Sequence, residues 1–129
     1  MVINHLIVGS QNVPVSTKFY CDFLEFRRTP DDPGADGGQV LEHDQIELLI
    51  IPFPKERLPN PAHFAFEVDG LSKFERLLTK AEKLNLMPRS MPPRDSMHGP
   101  SDFSRGRHKY KVFYVFDPSG INLEIMVKI

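Results

Sequence analysis

The chain has 129 residues, of which 40% are apolar and 26% are charged, and its formal net charge is -1 at pH 7. These values are typical of a single globular domain, and the near-neutral charge argues against general nucleic-acid binding. One cysteine, Cys21, excludes a disulfide framework or a cysteine-based zinc site within one chain. The first residues resemble neither a signal peptide nor a membrane span, so we expect a cytoplasmic protein without a membrane partner.

The first half of the chain predicts a strand, a helix and three further strands. Residues 2–8 are typical of a buried strand, and Asn12 followed by Pro14 marks the start of an amphipathic helix over 13–24. Residues 30–38 are rich in Pro, Gly and Asp and are predicted to form a loop. The three strands predicted after the helix are 26–29, 39–43 and 45–51.

The second half repeats this order after a proline-rich linker at 53–61. Ser72 and Glu75 form a capping-box pattern that predicts a helix from Ser72 to about Asn85. Residues 91–106 are predicted to form a long polar loop. The strands predicted in this half are 62–68, 86–90, 108–116 and 121–127. We therefore predict one domain, 1–129, built from two βαβββ copies at about 1–52 and 62–128.

Two histidines and two glutamates occupy corresponding strands of the two copies. His5 and His63 lie in the first strands, and Glu47 and Glu124 lie in the last strands. Glu124 alternates with large apolar residues, and an unpaired charge in such a strand would be costly. Imidazole and carboxylate groups together suit a divalent zinc, nickel, iron or manganese ion. The alternative is structural: Glu67 could pair with His63, and Glu47 with a lysine or arginine of the long loop.

Four segments make the chain resemble the vicinal oxygen chelate superfamily, which includes glyoxalase I, bleomycin resistance proteins and extradiol dioxygenases. They are Ile-Asn-His-Leu-Ile-Val at 3–8, Phe-Tyr-Cys-Asp-Phe-Leu-Glu-Phe at 19–26, Ala-His-Phe-Ala-Phe at 62–66 and Asp-Pro-Ser-Gly-Ile-Asn-Leu-Glu at 117–124. Glu25 departs from the pattern, since the family commonly has glycine there. The resemblance implies an α+β fold in which two βαβββ modules form a curved mixed β-sheet with the helices on the outer face.

The resemblance also implies a chemistry. His5, Glu47, His63 and Glu124 match the metal ligands of bacterial glyoxalase I, a lyase or isomerase whose substrate chelates the metal through adjacent oxygens. Glu124 is then the candidate catalytic base, with Glu47 as the symmetric alternative. A set of His5, His63 and Glu124 is similar to dioxygenases and fosfomycin-resistance transferases. A bleomycin-resistance-type protein would bind its ligand without metal. Four ligands favour the first hypothesis, although no glutathione-binding pattern is identified.

The segment 92–111 is the candidate substrate-binding element, since long loops in small domains often carry function. Its basic side chains could bind a small anionic substrate such as a carboxylate or phosphonate, or could simply be solvated. The substrate-binding candidates are Arg94, His98, Arg105, Arg107 and His108, with Lys109 and Lys111 nearby. His98 and His108 are also candidate acids or bases. Tyr110 and Tyr114 are assigned to packing, the usual role of a strand tyrosine, although a tyrosine near an extradiol iron would agree with the dioxygenase hypothesis. A homodimer is expected from the resemblance.

Overall fold

The computed structural model describes residues 1, 3–53, 63–90 and 99–129. The predicted linker 53–61 therefore lies almost wholly outside the described residues. The chain divides into two compact units, Met1–Asn60 with Pro118–Gly120 and Pro61–Asp117 with Ile121–Ile129. No helix in the described parts of the chain is both long and apolar enough to cross a membrane.

The first unit contains one helix and a four-stranded mixed sheet. Its elements are β1 (His5–Ser10), α1 (Val13–Leu24), β2 (Arg27–Arg28), β3 (Gln39–His43) and β4 (Ile46–Pro52). The strands lie in the order β1-β4-β3-β2, with β1 parallel to β4 and the other neighbours antiparallel. The predicted βαβββ order of this half is confirmed.

Helix α1 begins and ends as local sequence rules require. The side chain of Asn12 accepts a hydrogen bond from the backbone N–H of Val15 at 3.2 Å, and Pro14 lies in the first turn, where its missing N–H costs nothing. Glu25 ends the helix in the left-handed region, with φ of 63°. A glycine would adopt this conformation without the steric cost that a Cβ brings. Glu25 thus adopts, with the steric cost of a Cβ, a conformation that glycine favours.

Helix α1 covers one face of the first sheet. The hydroxyl groups of Ser10 on β1 and Ser16 on α1 are 2.6 Å apart, which places the helix over the face that bears Val8 and Ser10. Side chains alternate along a strand, so His5 lies on the opposite face. Glu47 is the direct cross-strand partner of His5 and shares that face. We call the face of each sheet opposite its helix the helix-free face.

The second unit repeats the arrangement with its own four-stranded mixed sheet. Its elements are β5 (His63–Glu67), α2 (Leu71–Lys83), β6 (Ser101–Arg105), β7 (His108–Phe116) and β8 (Asn122–Lys128). The strands lie in the order β5-β8-β7-β6, with β5 parallel to β8. The α+β class and the two βαβββ modules are thus confirmed, each module having one sheet and one helix.

Helix α2 packs on one face of the second sheet through aromatic side chains. The rings of Phe74 and Phe113 meet edge to face at 5.2 Å, and both residues are fully buried. Phe113 is the cross-strand partner of Ile125, so the covered face also bears Ile125 and the other odd-numbered residues of β8. The predicted alternation in β8 is correct, because Glu124 then lies on the helix-free face.

The predicted capping box at Ser72 is wrong. Helix α2 begins at Leu71, its N-cap is Gly70, and no side chain caps it. Gly70 has a φ of 98°, a conformation that glycine adopts at no steric cost. The chain therefore enters the helix at Leu71, one residue before Ser72. Ser72 is therefore the second helical residue. The helix also ends at Lys83, before the predicted end at Asn85.

Two predictions between α2 and β7 are also wrong. Residues 86–90 form no strand: a single bridge joins Arg89 to Tyr114. Met87 has a positive φ of 52°, and Pro88 lacks the N–H that a ladder needs. The segment 91–106 is not all loop, because its last part is strand β6 at the edge of the sheet.

The two helix starts allow a direct stability test. Replacing Asn12 with alanine should lower the free energy of unfolding by about 1 kcal/mol, because the Asn12 side chain accepts a hydrogen bond from an otherwise unpaired helical N–H. Ser72→Ala should have an effect below about 0.5 kcal/mol, because Ser72 caps nothing. Urea unfolding of the two variants measures both values. An equal loss in both would contradict this assignment of the caps.

Candidate functional site

The helix-free face of the second unit brings His63 and Glu124 together. The Nε2 atom of His63 lies 3.1 Å from Oε2 of Glu124, and the Nδ1 atom lies 3.1 Å from the backbone carbonyl oxygen of Asn122. Glu124 is only 4% exposed. His63 is the cross-strand partner of Asn122, whereas Ala65 is the partner of Glu124. Glu124, and not the predicted alternative Glu67, is thus the carboxylate that contacts His63.

If the imidazole of His63 is neutral, the hydrogen bonding of the His63–Glu124 pair is incomplete. A carbonyl oxygen accepts only, so Nδ1 of His63 carries the proton and donates to Asn122. Nε2 then presents a lone pair to a carboxylate, unless it binds a second proton or both groups bind a cation. The Oε1 atom of Glu124 is buried and has no hydrogen-bond partner among the described residues. An imidazole held through Nδ1 by a carbonyl group is also the usual orientation of a metal-binding histidine.

Tyr114 completes the surroundings of the pair. Its ring stacks on that of His63, with the centroids 6.0 Å apart, and its phenol group lies near the Glu124 carboxylate. Burial, followed by the negative charge of Glu124 and hydrogen bonding toward it, raises the pKa of Tyr114 to about 12. The phenol therefore keeps its proton at neutral pH. Tyr114, assigned to packing from the sequence, is part of the site.

The first unit supplies a second histidine–glutamate pair. His5 lies directly opposite Glu47 in the parallel strands β1 and β4, and its Nδ1 atom is 2.8 Å from Oδ1 of Asn4. On the other side of Glu47 lies Glu42, which Arg27 neutralises through a 2.8 Å ion pair. Glu47 is half-buried, and its carboxylate makes no hydrogen bond or ion pair with another described residue. The predicted pairing of Glu47 with a lysine or arginine is therefore not seen among these residues.

Each unit thus carries one pair on its helix-free face, but the two pairs differ in register. Glu47 is the direct partner of His5, while Glu124 lies two residues beyond the partner of His63. No group of three or more His, Cys, Asp and Glu side chains able to hold a metal ion occurs in the described parts of the chain. The metal set that joins the two pairs stays a prediction.

The predicted basic element is divided between two faces of a hairpin. Arg94 and His98 lie outside the described residues. Arg105 is the cross-strand partner of His108, at the end of the hairpin formed by β6 and β7. Lys111 lies on the opposite, helix-covered face and is 3.6 Å from Asp102. Arg107 is exposed in the turn, and substrate binding by any of these residues stays a prediction.

A cation that the sequence analysis did not consider lies on the helix-free face of the second unit. A terminal guanidinium nitrogen of Arg89 donates to Oδ1 of Asn122 at 2.6 Å, and the guanidinium carbon lies 3.9 Å from the ring centroid of Phe116. The alternation of β8 could have indicated Asn122, which shares its face with Glu124. Arg89 carried no such signal, because it lies in a segment wrongly predicted to be a strand.

Cys21 offers no nucleophile. The thiol lies on α1 and is partly buried, and burial raises its pKa above the usual value. A raised pKa lowers the thiolate fraction at neutral pH, and thiolate is the reactive form. These features agree with a packing role for this residue.

Comparison of the sequence with protein families identifies the fold. Residues 2–125 match the Glyoxalase/Bleomycin resistance protein/Dioxygenase superfamily. The chain belongs to this superfamily. The match covers both βαβββ modules except for the last residues of β8. A search of curated proteins finds no match.

Solved structures of superfamily type share the fold at low identity. Oxidase ChaP-H2 is 21% identical with a TM-score of 0.75, and the alignment covers 100% of this chain and 94% of that chain. Lactoylglutathione lyase from Agrobacterium tumefaciens is 16% identical with a TM-score of 0.70, covering 98% and 92%. An integron cassette protein from the mobile metagenome of V. cholerae is 19% identical with a TM-score of 0.74, covering 98% and 94%. These similarities show the glyoxalase-type fold.

Proposed function

We propose that this superfamily member is a metal-dependent lyase or isomerase of the glyoxalase type. Its substrate would be a small molecule that chelates the metal through two adjacent oxygens. The proposed ligands are His5, Glu47, His63 and Glu124, and the ion would be divalent nickel, zinc, iron or manganese. The neighbouring lactoylglutathione lyase and oxidase share only the fold with this chain, so the proposal is supported by the site residues themselves.

The observation that supports the proposal best is the incomplete bonding of the His63–Glu124 pair. Glu124 is buried, one of its oxygens faces Nε2 of His63 at 3.1 Å, and the other has no described partner. A buried carboxylate without full hydrogen bonding is costly, and a cation shared with His63 would remove that cost. His5 has a matching feature, because its Nδ1 atom is also engaged, by Asn4, which leaves Nε2 available.

Each residue of the site would then have a separate role in the reaction. When bound, the metal would polarise the two substrate oxygens and stabilise negative charge that develops on them. Glu124 would move the proton, since its Oε1 atom has a lone pair that no described donor uses. Tyr114, whose phenol lies near the carboxylate, would keep its own proton and leave the transfer to Glu124. Glu47 is the symmetric candidate for the base.

A three-ligand enzyme is the second candidate, either a dioxygenase or a fosfomycin-resistance-type transferase. It would use His5, His63 and Glu124 only. Two observations favour it: the half-buried carboxylate of Glu47 makes no hydrogen bond or ion pair with a described residue, whereas the carboxylate of Glu124 faces Nε2 of His63 at 3.1 Å and lies near Tyr114. A tyrosine beside the metal would also suit a dioxygenase.

Replacing Glu47 with glutamine separates these candidates. With four ligands, Glu47→Gln should weaken metal binding by more than about tenfold, because a charged ligand becomes a neutral amide. Calorimetric titration of the metal-free protein with nickel measures the affinity. Glu42→Gln is the matched control, since Glu42 lies opposite Glu47 but is paired with Arg27.

The other outcomes of this titration are equally informative. Unchanged affinity in Glu47→Gln, with metal bound to the wild type, would favour the three-ligand enzyme. A wild-type protein that binds no metal at all would favour a bleomycin-resistance-type binding protein without catalysis.

We also propose that the protein acts as a homodimer in the cytoplasm. The homodimer is proposed because superfamily members commonly pair through their sheets. Light scattering on the purified protein should give twice the mass of one chain. A single-chain mass at micromolar concentration would contradict it.

A further inference from the structure

We infer that Arg89 binds a carboxylate or similar anionic group of the substrate beside the His63–Glu124 pair. The inference rests on the proposed function and adds the substrate class to it. Arg89 and Tyr114 exchange two backbone hydrogen bonds of 2.9 Å, and Tyr114 is the cross-strand partner of Glu124. Arg89 therefore extends the cross-strand row that contains Glu124, on the helix-free face.

The guanidinium group of Arg89 is held in one orientation. It lies 3.9 Å from the centroid of the Phe116 ring, and one of its nitrogens donates to Oδ1 of Asn122 at 2.6 Å. An aromatic face and a fixed acceptor remove much of the rotational freedom of a long side chain. A cation that is oriented before the ligand arrives loses little entropy on binding it.

The charge of this guanidinium is not balanced by the described part of the chain. A guanidinium has five N–H donors, and Asn122, which is neutral, is the one described residue that accepts from the guanidinium group of Arg89. No described carboxylate forms an ion pair with Arg89, and Glu124 is engaged by His63 and Tyr114. Arg89 is half-buried, and a cation in that setting favours an anionic partner.

The distance between the Arg89 guanidinium and the His63–Glu124 pair is short enough for one small molecule to contact both. Asn122, which accepts from Arg89, is the direct cross-strand partner of His63. The guanidinium also lies against Phe116, on the strand beyond Asn122. Neighbouring strands lie about 4.8 Å apart, so the anion site is roughly one to two strand spacings from the imidazole. The substrate class is therefore a compound with two adjacent oxygens and a carboxylate or phosphonate a few bonds away.

Two hydroxamates test this inference, because a hydroxamate chelates a metal through two adjacent oxygens. Succinic acid monohydroxamate carries a free carboxylate, and succinamide monohydroxamate has a neutral amide of the same shape. Calorimetry on the nickel-loaded wild type should show roughly tenfold tighter binding of the acid. In Arg89→Gln the two ligands should bind equally, with nickel content and affinity for the amide unchanged.

Two further variants complete the experiment. Arg76→Gln removes the same charge from the exposed surface of α2 and should keep the preference for the acid. Asn122→Asp keeps Arg89 but gives it an internal carboxylate at the position of its present acceptor, and it should also abolish the preference. This variant decides the question if Arg89→Gln does not fold.

The possible results separate the inference from the proposed function. Equal binding of both hydroxamates to nickel-loaded wild type would overturn the inference and leave the proposed function standing. A preference that survives in Arg89→Gln, or an equal loss of affinity for both ligands, would also overturn it, since the latter indicates a structural role. A wild type that takes up no nickel would overturn the proposed function, and the inference with it.

Discussion

Replacing His63 with alanine is expected to lower the affinity for a divalent metal by more than about 100-fold. The variant removes the Nε2 atom that faces Glu124, together with the Nδ1 contact to the Asn122 carbonyl that fixes the ring. The buried carboxylate would then have to hold a cation without its imidazole neighbour. Mass spectrometry after incubation with nickel, zinc, iron(II) and manganese(II) should find about one metal per chain in the wild type and almost none in the variant.

His43→Ala is the matched control for this experiment. His43 belongs to β3, and its Nδ1 atom donates to the backbone carbonyl oxygen of Glu25, outside both pairs. Its removal should leave the metal content unchanged. Equal metal content in wild type and His63→Ala would show that the pair is structural. The ion bound by the wild type also narrows the chemistry: nickel or zinc favours isomerisation, iron favours oxygen chemistry and manganese favours group transfer.

Replacing Phe113 with alanine is expected to lower the free energy of unfolding by about 3–5 kcal/mol. Phe113 is fully buried under α2, and its ring meets that of Phe74 at 5.2 Å. The variant loses the transfer free energy of the ring and leaves a cavity between the helix and the sheet. Chemical denaturation measures the change. Metal affinity under native conditions should persist, because Phe113 lies on the face opposite Glu124.

Leu71→Ala provides the comparison for the stability measurement. Leu71 begins α2 and is 44% exposed, so its truncation should cost less than about 0.5 kcal/mol. Two results would contradict the packing described here: a loss below 1 kcal/mol in Phe113→Ala, or equal losses in the two variants. A loss of metal binding in folded Phe113→Ala would show that the two faces of this sheet are coupled.

The sequence predicted the parts of the fold that depend on side-chain periodicity. Alternation in β8 placed Glu124 away from the apolar face, and helical spacing with Asn12 located α1 to the residue. These patterns are local, because each side chain's direction follows from its own strand or helix.

The errors lie where the pattern is weak or ambiguous. Strand β6 is polar, and as an edge strand it needs backbone hydrogen bonds on one side only, so its sequence resembles a loop. Ser72 and Glu75 have the spacing of a capping box, but Gly70 starts the helix earlier. In 86–90, the left-handed Met87 and the proline after it outweigh the apolar composition that suggested a strand.

The site was predicted less completely than the fold. The residues His63 and Glu124 were identified, but their direct contact depends on the register of β5 against β8, which one sequence does not contain. The roles of Tyr114 and Arg89 depend on contacts between residues that are distant in the sequence.

The register difference between the two pairs has a consequence for insertions and deletions. Glu124 lies two residues beyond the partner of His63, whereas Glu47 lies directly opposite His5. Because side chains alternate with a period of two, a shift of one residue in β8 would turn the carboxylate into the packed interface with α2. A shift of two residues in β8 would keep the Glu124 carboxylate on the helix-free face, which also bears His63. Viable length changes at this strand should therefore come in even steps, and the two halves already differ by one such step.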